Sequence, residues 1–305
     1  MRTGRNLLRV IGVLALLAMP LAACGGDDDD SASGGDDTGS STTEAPANGE
    51  ADATIDMHEY AYTVSGTVRT GGTIHLANTG KEFHMLGVGK LKAGKTYDDA
   101  VSALKSESED DDSATFDQVG MPGSFVGPGS EADITVPDLG AGDYVIACFI
   151  NVEGEETPHF VRGMTGQFKV SAEKAPAPDA DATYEVSKGK AIDGPAKLSA
   201  GHHVLAVHRD AAGDVLEPGL FKLDDGSTIE DFAAKIKVFD EGPLPKGAAA
   251  TLPGDIIIGA FDFGDTETVY FGVDLVPGTY VLTSDDSDVE GKPDIPVEKI
   301  QITVT

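Results

Sequence analysis

An internal similarity between the two halves of the chain is the sequence feature that most constrains the fold. Residues 138–145 read DLGAGDYV, and residues 274–281 read DLVPGTYV. Earlier in each half, residues 91–99 are matched by residues 223–231. Because the matched segments occur in the same order in both halves, the sequence predicts an internal duplication of one folding unit.

Both halves have the patterns of short β-strands. Residues 73–78 alternate apolar and polar side chains, and residues 144–149 form a longer apolar run, as in a central sandwich strand. Turn signals such as Gly-Gly and Pro-Gly lie between the runs. In each half a start that resembles a capping box, Thr96…Asp99 and Ser227…Glu230, predicts one helix. The predicted fold class is all-β: two Greek-key β-sandwich domains, each with a short helical insertion.

Composition divides the rest of the chain. Residues 1–23 place three arginines before an apolar stretch that is too short for a comfortable transmembrane helix, which is typical of a signal peptide. Residues 24–52 are acidic, rich in Gly, Ser and Thr, and predict a disordered tether. Residues 172–182, AEKAPAPDADA, predict a linker between domains at 53–171 and 183–305.

The signal peptide ends in Leu21-Ala22-Ala23-Cys24, which resembles the lipobox of bacterial lipoproteins. The resemblance implies that Cys24 becomes the lipidated first residue of the mature protein. Its acyl chains would anchor the chain to the outer face of the cell membrane, on the extracytoplasmic side. The alternative is an ordinary secretory signal in which Cys24 has no role.

The charge of the chain restricts its partners. Of 305 residues, 52 are acidic and 22 basic, so the formal net charge is −30, and removal of residues 1–23 leaves −33. A nucleic-acid partner is excluded because phosphate binding needs Lys and Arg. An acidic run at 107–112 is either a solvated loop or a patch that steers a basic redox partner protein. With Cys24 and Cys148 as the only cysteines, a disulfide framework is also excluded.

A set of metal-ligating residues occurs in the first half. Cys148, His159 and Met164 lie within one stretch of seventeen residues, and His84 follows a predicted strand upstream. Thiolate and thioether sulfur together with imidazole favour copper, and a His₂Cys site with a long axial Met is the blue-copper electron-transfer arrangement. The alternative is that Cys148 is a small buried hydrophobic residue, as free cysteines often are.

Residues 53–171 resemble a cupredoxin, a member of the plastocyanin and azurin family of type 1 copper proteins. The similar features are the opening strand at 55–62, the strand at 73–78 followed by His84, the Gly142-Asp143-Tyr144 turn before Cys148, and the Pro158-His159 pair with Met164 five residues after the histidine. The resemblance implies one type 1 copper with two nitrogen ligands, a thiolate and a weak axial ligand. These are His84 and His159, Cys148, and Met164.

Two features depart from the plastocyanin pattern. Ten residues separate Cys148 from His159, a longer loop than in plastocyanin, and Met85 follows the first histidine where plastocyanin has Asn.

The second half has also lost the ligands, since the matched segments place Ser284 opposite Cys148 and Leu216 opposite His84. We therefore expect one copper for the whole chain and a second cupredoxin-like domain without metal.

These patterns predict a membrane-anchored, extracytoplasmic blue copper protein that transfers single electrons and is not an enzyme. No Ser-His-Asp, phosphate-loop or zinc-protease pattern is present. The alternatives are a non-redox copper carrier and a cupredoxin-like binding or scaffolding lipoprotein without bound metal.

Overall fold

The computed structural model describes residues 51–305 except 107–108, 118–122, 137–138, 153, 155–156, 210–216, 237–243, 245, 248–251, 262–266 and 285–297. The predicted signal peptide, Cys24 and the tether up to residue 50 lie outside the described residues, so these stay predictions. In the part of the chain that the structure describes, none of the helices is both long and apolar enough to cross a bilayer.

Seventeen strands and three helices occur in the described residues. In chain order they are β1 (Ala53–His58), β2 (Ala61–Gly66), β3 (Val68–Thr70), β4 (Thr73–Asn78), β5 (His84–Lys90), α1 (Tyr97–Ser106), α2 (Glu109–Thr115), β6 (Gly123–Val126), β7 (Glu131–Thr135), β8 (Gly142–Ala147), β9 (Thr165–Lys174), β10 (Ala182–Val186), β11 (Lys197–Leu198), β12 (Gly201–Arg209), β13 (Pro218–Leu223), α3 (Ile229–Ile236), β14 (Gly254–Phe261), β15 (Thr268–Leu275), β16 (Gly278–Ser284) and β17 (Lys299–Val304).

The strands form two sheets around one main apolar core. Seven strands lie in the order β10-β12-β15-β7-β4-β1-β2, and ten lie in the order β11-β17-β16-β13-β14-β6-β5-β8-β9-β3. Strands with alternating sequences bury every second residue: β1 and β4 both place their apolar side chains in the core. The predicted all-β class with short helical insertions is confirmed.

The topology of the first half is repeated in the second. β1 pairs in parallel with β4, as β10 does with β12, and β3 pairs in parallel with β9, as β11 does with β17. In the antiparallel part, β5 lies between β6 and β8, as β13 lies between β14 and β16. Within the described residues, β2 and α2 have no counterpart in the second half.

Equivalent strands of the two halves pair with each other. β7 pairs antiparallel with β15 and β6 with β14, so each sheet runs through both halves, as a two-fold relation between the copies requires. Gly123 faces Phe261, and Phe125 faces Gly259. A Cβ on Gly259 would lie 2.0 Å from the Phe125 ring, so each glycine leaves space for the phenylalanine of the other half.

Three details differ from the sequence prediction. The first half contains a second helix, α2, where a single helix was predicted. The helical start in the second half is Thr228…Asp231, one residue later than expected: Thr228 Oγ1 accepts from Asp231 N at 3.1 Å, whereas Ser227 N donates to Asp224 O in the preceding turn. The start at Thr96…Asp99 has the expected reciprocal hydrogen bonds. Strand β9 also continues to Lys174, three residues into the predicted linker. The proposed domain boundaries themselves stay predictions.

Candidate metal centre

His84 is the first residue of β5 and is held from both sides. β5 hydrogen-bonds to β6, where His84 pairs with Val126, and to β8 further along. The turn that leads to His84 is fixed by the buried Asn78 side chain, which donates to Glu82 O at 3.0 Å and to Val126 O at 3.2 Å. The imidazole therefore enters the sandwich from a rigid strand.

Cys148 directly follows β8, and the long loop after it closes on itself. Phe160 N donates to Cys148 O at 2.8 Å, and His159 N donates to Ile150 O at 2.9 Å. Cys148 N donates in turn to Met164 O at 3.1 Å. These bonds form a neck at the base of the loop, and His159 returns to the side of Cys148 despite the ten intervening residues.

Three of the four predicted ligands meet inside the protein. One ligand atom from each of His84, Cys148 and His159 lies within 4.8 Å of the others, and all three side chains are fully buried. His84 Nδ1 is 3.2 Å from His159 Nδ1, and Cys148 Sγ is 3.5 Å from the same His159 atom. Met164 is also fully buried, and its backbone accepts the hydrogen bond from Cys148 described above.

Burial sets the protonation states of this group. The pKa of His84 is lowered to about 4, mainly by burial and secondly by the neighbouring His159, so its imidazole is neutral at neutral pH. Burial also raises the pKa of the Cys148 thiol to about 12. Two buried imidazole nitrogens facing a thiol form an N₂S donor set, and this set fits a soft or borderline transition metal such as copper.

A hairpin made of β1 and β2 covers the centre with two tyrosines that the sequence analysis did not single out. The Tyr60 ring meets the His159 ring edge-on at 5.1 Å between centroids. The Arg162 guanidinium carbon lies 3.4 Å from the centroid of the Tyr60 ring, a cation–π contact. Tyr60 has a φ of 59°, a left-handed conformation that is uncommon for a residue other than glycine, and these ring contacts offset its cost.

The outer nitrogen of His159 faces a carboxylate. Glu82 Oε2 lies 3.4 Å from His159 Nε2 and accepts a hydrogen bond from the Tyr60 hydroxyl at 3.4 Å. A carboxylate on the distal ring nitrogen is a common outer partner of a metal-bound histidine, because it fixes the ring orientation. Glu82 lies two residues before His84 in the sequence, and that proximity was the one signal that could have identified it.

The second tyrosine, Tyr62, contacts the residue whose backbone N–H donates to the sulfur. Met85 N donates to Cys148 Sγ at 3.5 Å, and the Tyr62 hydroxyl donates to Met85 O at 2.5 Å. The pKa of Tyr62 is raised well above its usual value, mainly by burial and secondly by the nearby Cys148, so the phenol keeps its proton. Met85, the residue after His84, therefore contacts Cys148 and Tyr62 through its backbone N–H and carbonyl.

The second half has no equivalent centre in the residues that the structure describes. The strand registers make Gly219 and Thr283 equivalent to Gly87 and Ala147, which places the buried Ser284 opposite Cys148. Leu216, the counterpart of His84 in the sequence, lies outside the described residues. The remaining histidines of this half have separate partners: Asp274 for His202, Ser199 for His203 and Thr268 for His208.

Fold and site together define a two-sheet β-sandwich protein with one buried His₂Cys centre among the described residues. The resemblance to the cupredoxins is confirmed in the β fold and in the meeting of His84, Cys148 and His159. No protein-family model and no curated protein matches the chain.

Several solved structures are similar to this chain. Auracyanin A, a "blue" copper protein from Chloroflexus aurantiacus, is 21% identical over 40% of this chain and 98% of its own, with a TM-score of 0.27. Auracyanin from Roseiflexus castenholzii is 24% identical over 39% of this chain and 94% of its own, with a TM-score of 0.26. A multicopper oxidase is 12% identical over 83% of this chain and 88% of its own, with a TM-score of 0.22.

Proposed function

We propose that this protein binds one copper ion and transfers single electrons. His84 and His159 would supply nitrogen ligands, Cys148 a thiolate and Met164 a weak axial ligand. The observation that carries the proposal is the fully buried N₂S group, with both imidazole Nδ1 atoms and the thiol turned toward each other. A type 1 copper site has this ligand set.

The residues of the chain provide a rigid, dry surrounding for this chemistry. Bound copper would accept one electron from a donor and pass one to an acceptor, alternating between Cu(II) and Cu(I). His84 is held by a central strand and His159 by the closed neck of the loop, so the ligands change position little between the two oxidation states. Complete burial of the three side chains would keep water from copper bound there.

We propose the outer face of the cell membrane as the location, with Cys24 as the lipid anchor. The residues after Cys24 would act as a spacer, because their acidic side chains repel one another and extend the chain. A basic redox protein would be the partner of a mature chain that carries a charge of −33.

Copper titration of the mature protein tests the proposal. One equivalent of Cu(II) should produce the intense visible band of thiolate-to-copper charge transfer, and Cys148→Ser should abolish it. Ser284→Ala, at the equivalent position of the second half, is the matched control and should keep both the band and the copper content.

The other outcomes overturn parts of the proposal. Binding of colourless Cu(I) with no blue Cu(II) form would identify a copper carrier, and the absence of stoichiometric copper would identify a metal-free binding protein. Two tightly bound coppers per chain would contradict the assignment of a single site. Turnover of phenolic substrates with oxygen would contradict a function limited to electron transfer.

A further inference from the structure

We infer that the half without metal ligands holds the ligand His84 in place, and that it does so through Phe83. Phe83 is a positioning residue in this account, because it acts on bound copper through the neighbouring histidine. The inference rests on the proposed function. Changes confined to the second half should therefore alter copper binding in the first.

The first observation is the place of the Phe83 side chain. Six buried residues of the second half form an apolar cluster, here called the α3 cluster: Phe221, Leu223, Phe232, Leu252, Ile256 and Val281. Val281 belongs to this cluster and its neighbour Leu282 on β16 to the main core, so the cluster lies on the face of the sheet away from that core. Phe83 packs against the α3 cluster together with Phe125, and the two rings lie 5.5 Å apart between centroids. The residue before His84 is thus packed into the second half.

The second observation is the strand beside His84. His84 pairs with Val126 on β6, and β6 pairs in turn with β14 of the second half. Directly after β6, Gly127 N donates to Ile256 O at 3.0 Å. A Cβ on Gly127 would lie 2.6 Å from the same oxygen, so the two backbones are in close contact. The second half therefore supports His84 through its neighbouring strand as well as through Phe83.

The other imidazole is anchored in the first half. Phe160, which follows His159, is buried in an apolar cluster with residues of α1, and its ring lies 5.1 Å from that of Phe149. Each ligand histidine is thus adjacent to a phenylalanine, and the two phenylalanines pack in different halves. The Nδ1 atoms of His84 and His159 are 3.2 Å apart. The spacing of the nitrogens that would bind copper therefore depends on how the two halves pack together.

This spacing matters to a bound metal, because Cu(I) and Cu(II) differ in the ligands and geometry that they prefer. Residues that orient metal ligands typically contribute about 10- to 100-fold to metal affinity. Loss of the Phe83 ring would allow His84 to move relative to His159 and Cys148. We expect weaker copper binding and an altered absorption spectrum, and a loss of stability alone would not alter the spectrum.

Copper-loaded variants of the mature protein test the inference. Phe83→Ala should lower copper affinity by about 10- to 100-fold, measured by competition with a chelator, and should shift the visible band. Phe232→Leu reduces the α3 cluster from within the second half, so affinity and band should change in the same direction. Ile302→Ala is the matched control. Ile302 is buried in the main core on β17, beside the edge strand β11, and its replacement should lower the melting temperature but leave affinity and band unchanged.

Phe83→Leu keeps an apolar side chain and replaces Phe83→Ala if that variant does not fold. Unchanged affinity and band in the folded Phe83 variant, at a lowered melting temperature, would overturn the inference. An effect of the Phe83 variant without one of Phe232→Leu would also overturn it, because the support of His84 would then lie in the first half. An equal effect of Ile302→Ala would do the same, since copper binding would then follow overall stability. Absence of a blue band in the unaltered protein is a separate result and would instead overturn the proposed function.

Discussion

At the scale of single residues, burial acts in opposite directions on two neighbouring ligands. It removes the proton from His84, whose pKa is lowered to about 4, and keeps the proton on Cys148, whose pKa is raised to about 12. The imidazole is therefore ready to bind a metal at neutral pH, whereas the thiol must first be deprotonated. Metal binding and proton release are coupled through Cys148.

Copper binding between pH 6 and pH 9 should release the proton of the Cys148 thiol. Because the thiol is protonated throughout this range, the apparent affinity should rise about tenfold for each unit of pH increase. Calorimetry in buffers of different ionisation enthalpy measures the proton count. Release of no proton would show that Cys148 is a thiolate before the metal arrives, or that it is not a ligand.

At the scale of structural elements, the long loop between Cys148 and His159 is held from two sides. Its neck is closed by backbone hydrogen bonds within the first half. From the second half, Leu244 N donates to Asn151 O at 2.7 Å, and Leu244 forms a parallel bridge with Val152. Both Leu244 and Val152 are buried. The half without ligands therefore contacts the loop that delivers one of them.

Leu244→Ala should weaken the hold on this loop. The substitution removes buried side-chain contacts, and we expect a loss of about 2–5 kcal/mol in the free energy of unfolding, together with faster copper release to a chelator. Val276→Ala is the control, since Val276 is 51% exposed, and it should change neither quantity. An unaltered release rate in a destabilised Leu244→Ala protein would limit the contact to a structural role.

At the scale of the whole molecule, the two copies are joined edge to edge through both sheets. The pairing of β6 with β14 places Phe125 over Gly259 and Phe261 over Gly123, and the two rings stack at 6.5 Å between centroids. Unfolding of one half would expose the sheet edges of the other. We therefore expect both halves to unfold together.

Gly259→Ala should lower the melting temperature of the entire molecule in a single calorimetric transition. The added Cβ would lie 2.0 Å from the Phe125 ring, so the ring must move, at a cost of about 1–3 kcal/mol. Gly140→Ala, where 3.9 Å to Lys90 is the nearest approach, should have little effect. Two separate transitions, with only one shifted, would show that the halves unfold independently.

The negative charge of the molecule gives a prediction about rates. The acidic helix α2 ends at Thr115, and the Thr115 carbonyl accepts a hydrogen bond from Lys92 N. Lys92 lies just beyond the C-terminal end of β5, whereas His84 is at the N-terminal end of that strand. Electron transfer to a basic redox protein should slow steeply as salt rises, because screening acts over about 8 Å at physiological ionic strength. Because α2 lies at the end of β5 away from His84, we expect the overall negative charge to provide the steering, so amide replacements of Glu109, Asp110, Asp111 and Asp112 should change this dependence little and leave the copper spectrum unchanged. A salt-independent rate in stopped-flow measurements would remove steering from the proposal.

The sequence by itself determined the features that depend on local pattern. Period-two alternation predicted β4 to the residue, repeated segments predicted the duplicated topology, and the order of His84, Cys148 and His159 predicted three side chains that converge. The role of Met164 as an axial ligand stays a prediction. The capping start at Thr96 was found for the same reason, whereas the similar start at Thr228 was placed one residue early because two adjacent hydroxyl residues fit the pattern.

Only the tertiary structure decided the contacts between distant segments. The closure of the loop neck, the placement of Tyr62 at Met85 and the pairing of Phe125 with Gly259 join residues far apart in the chain. Which backbone edges pair, and which ring fills a glycine's space, depends on how whole strands pack. A sequence pattern specifies which face of a strand is buried, and it leaves open which neighbour covers that face.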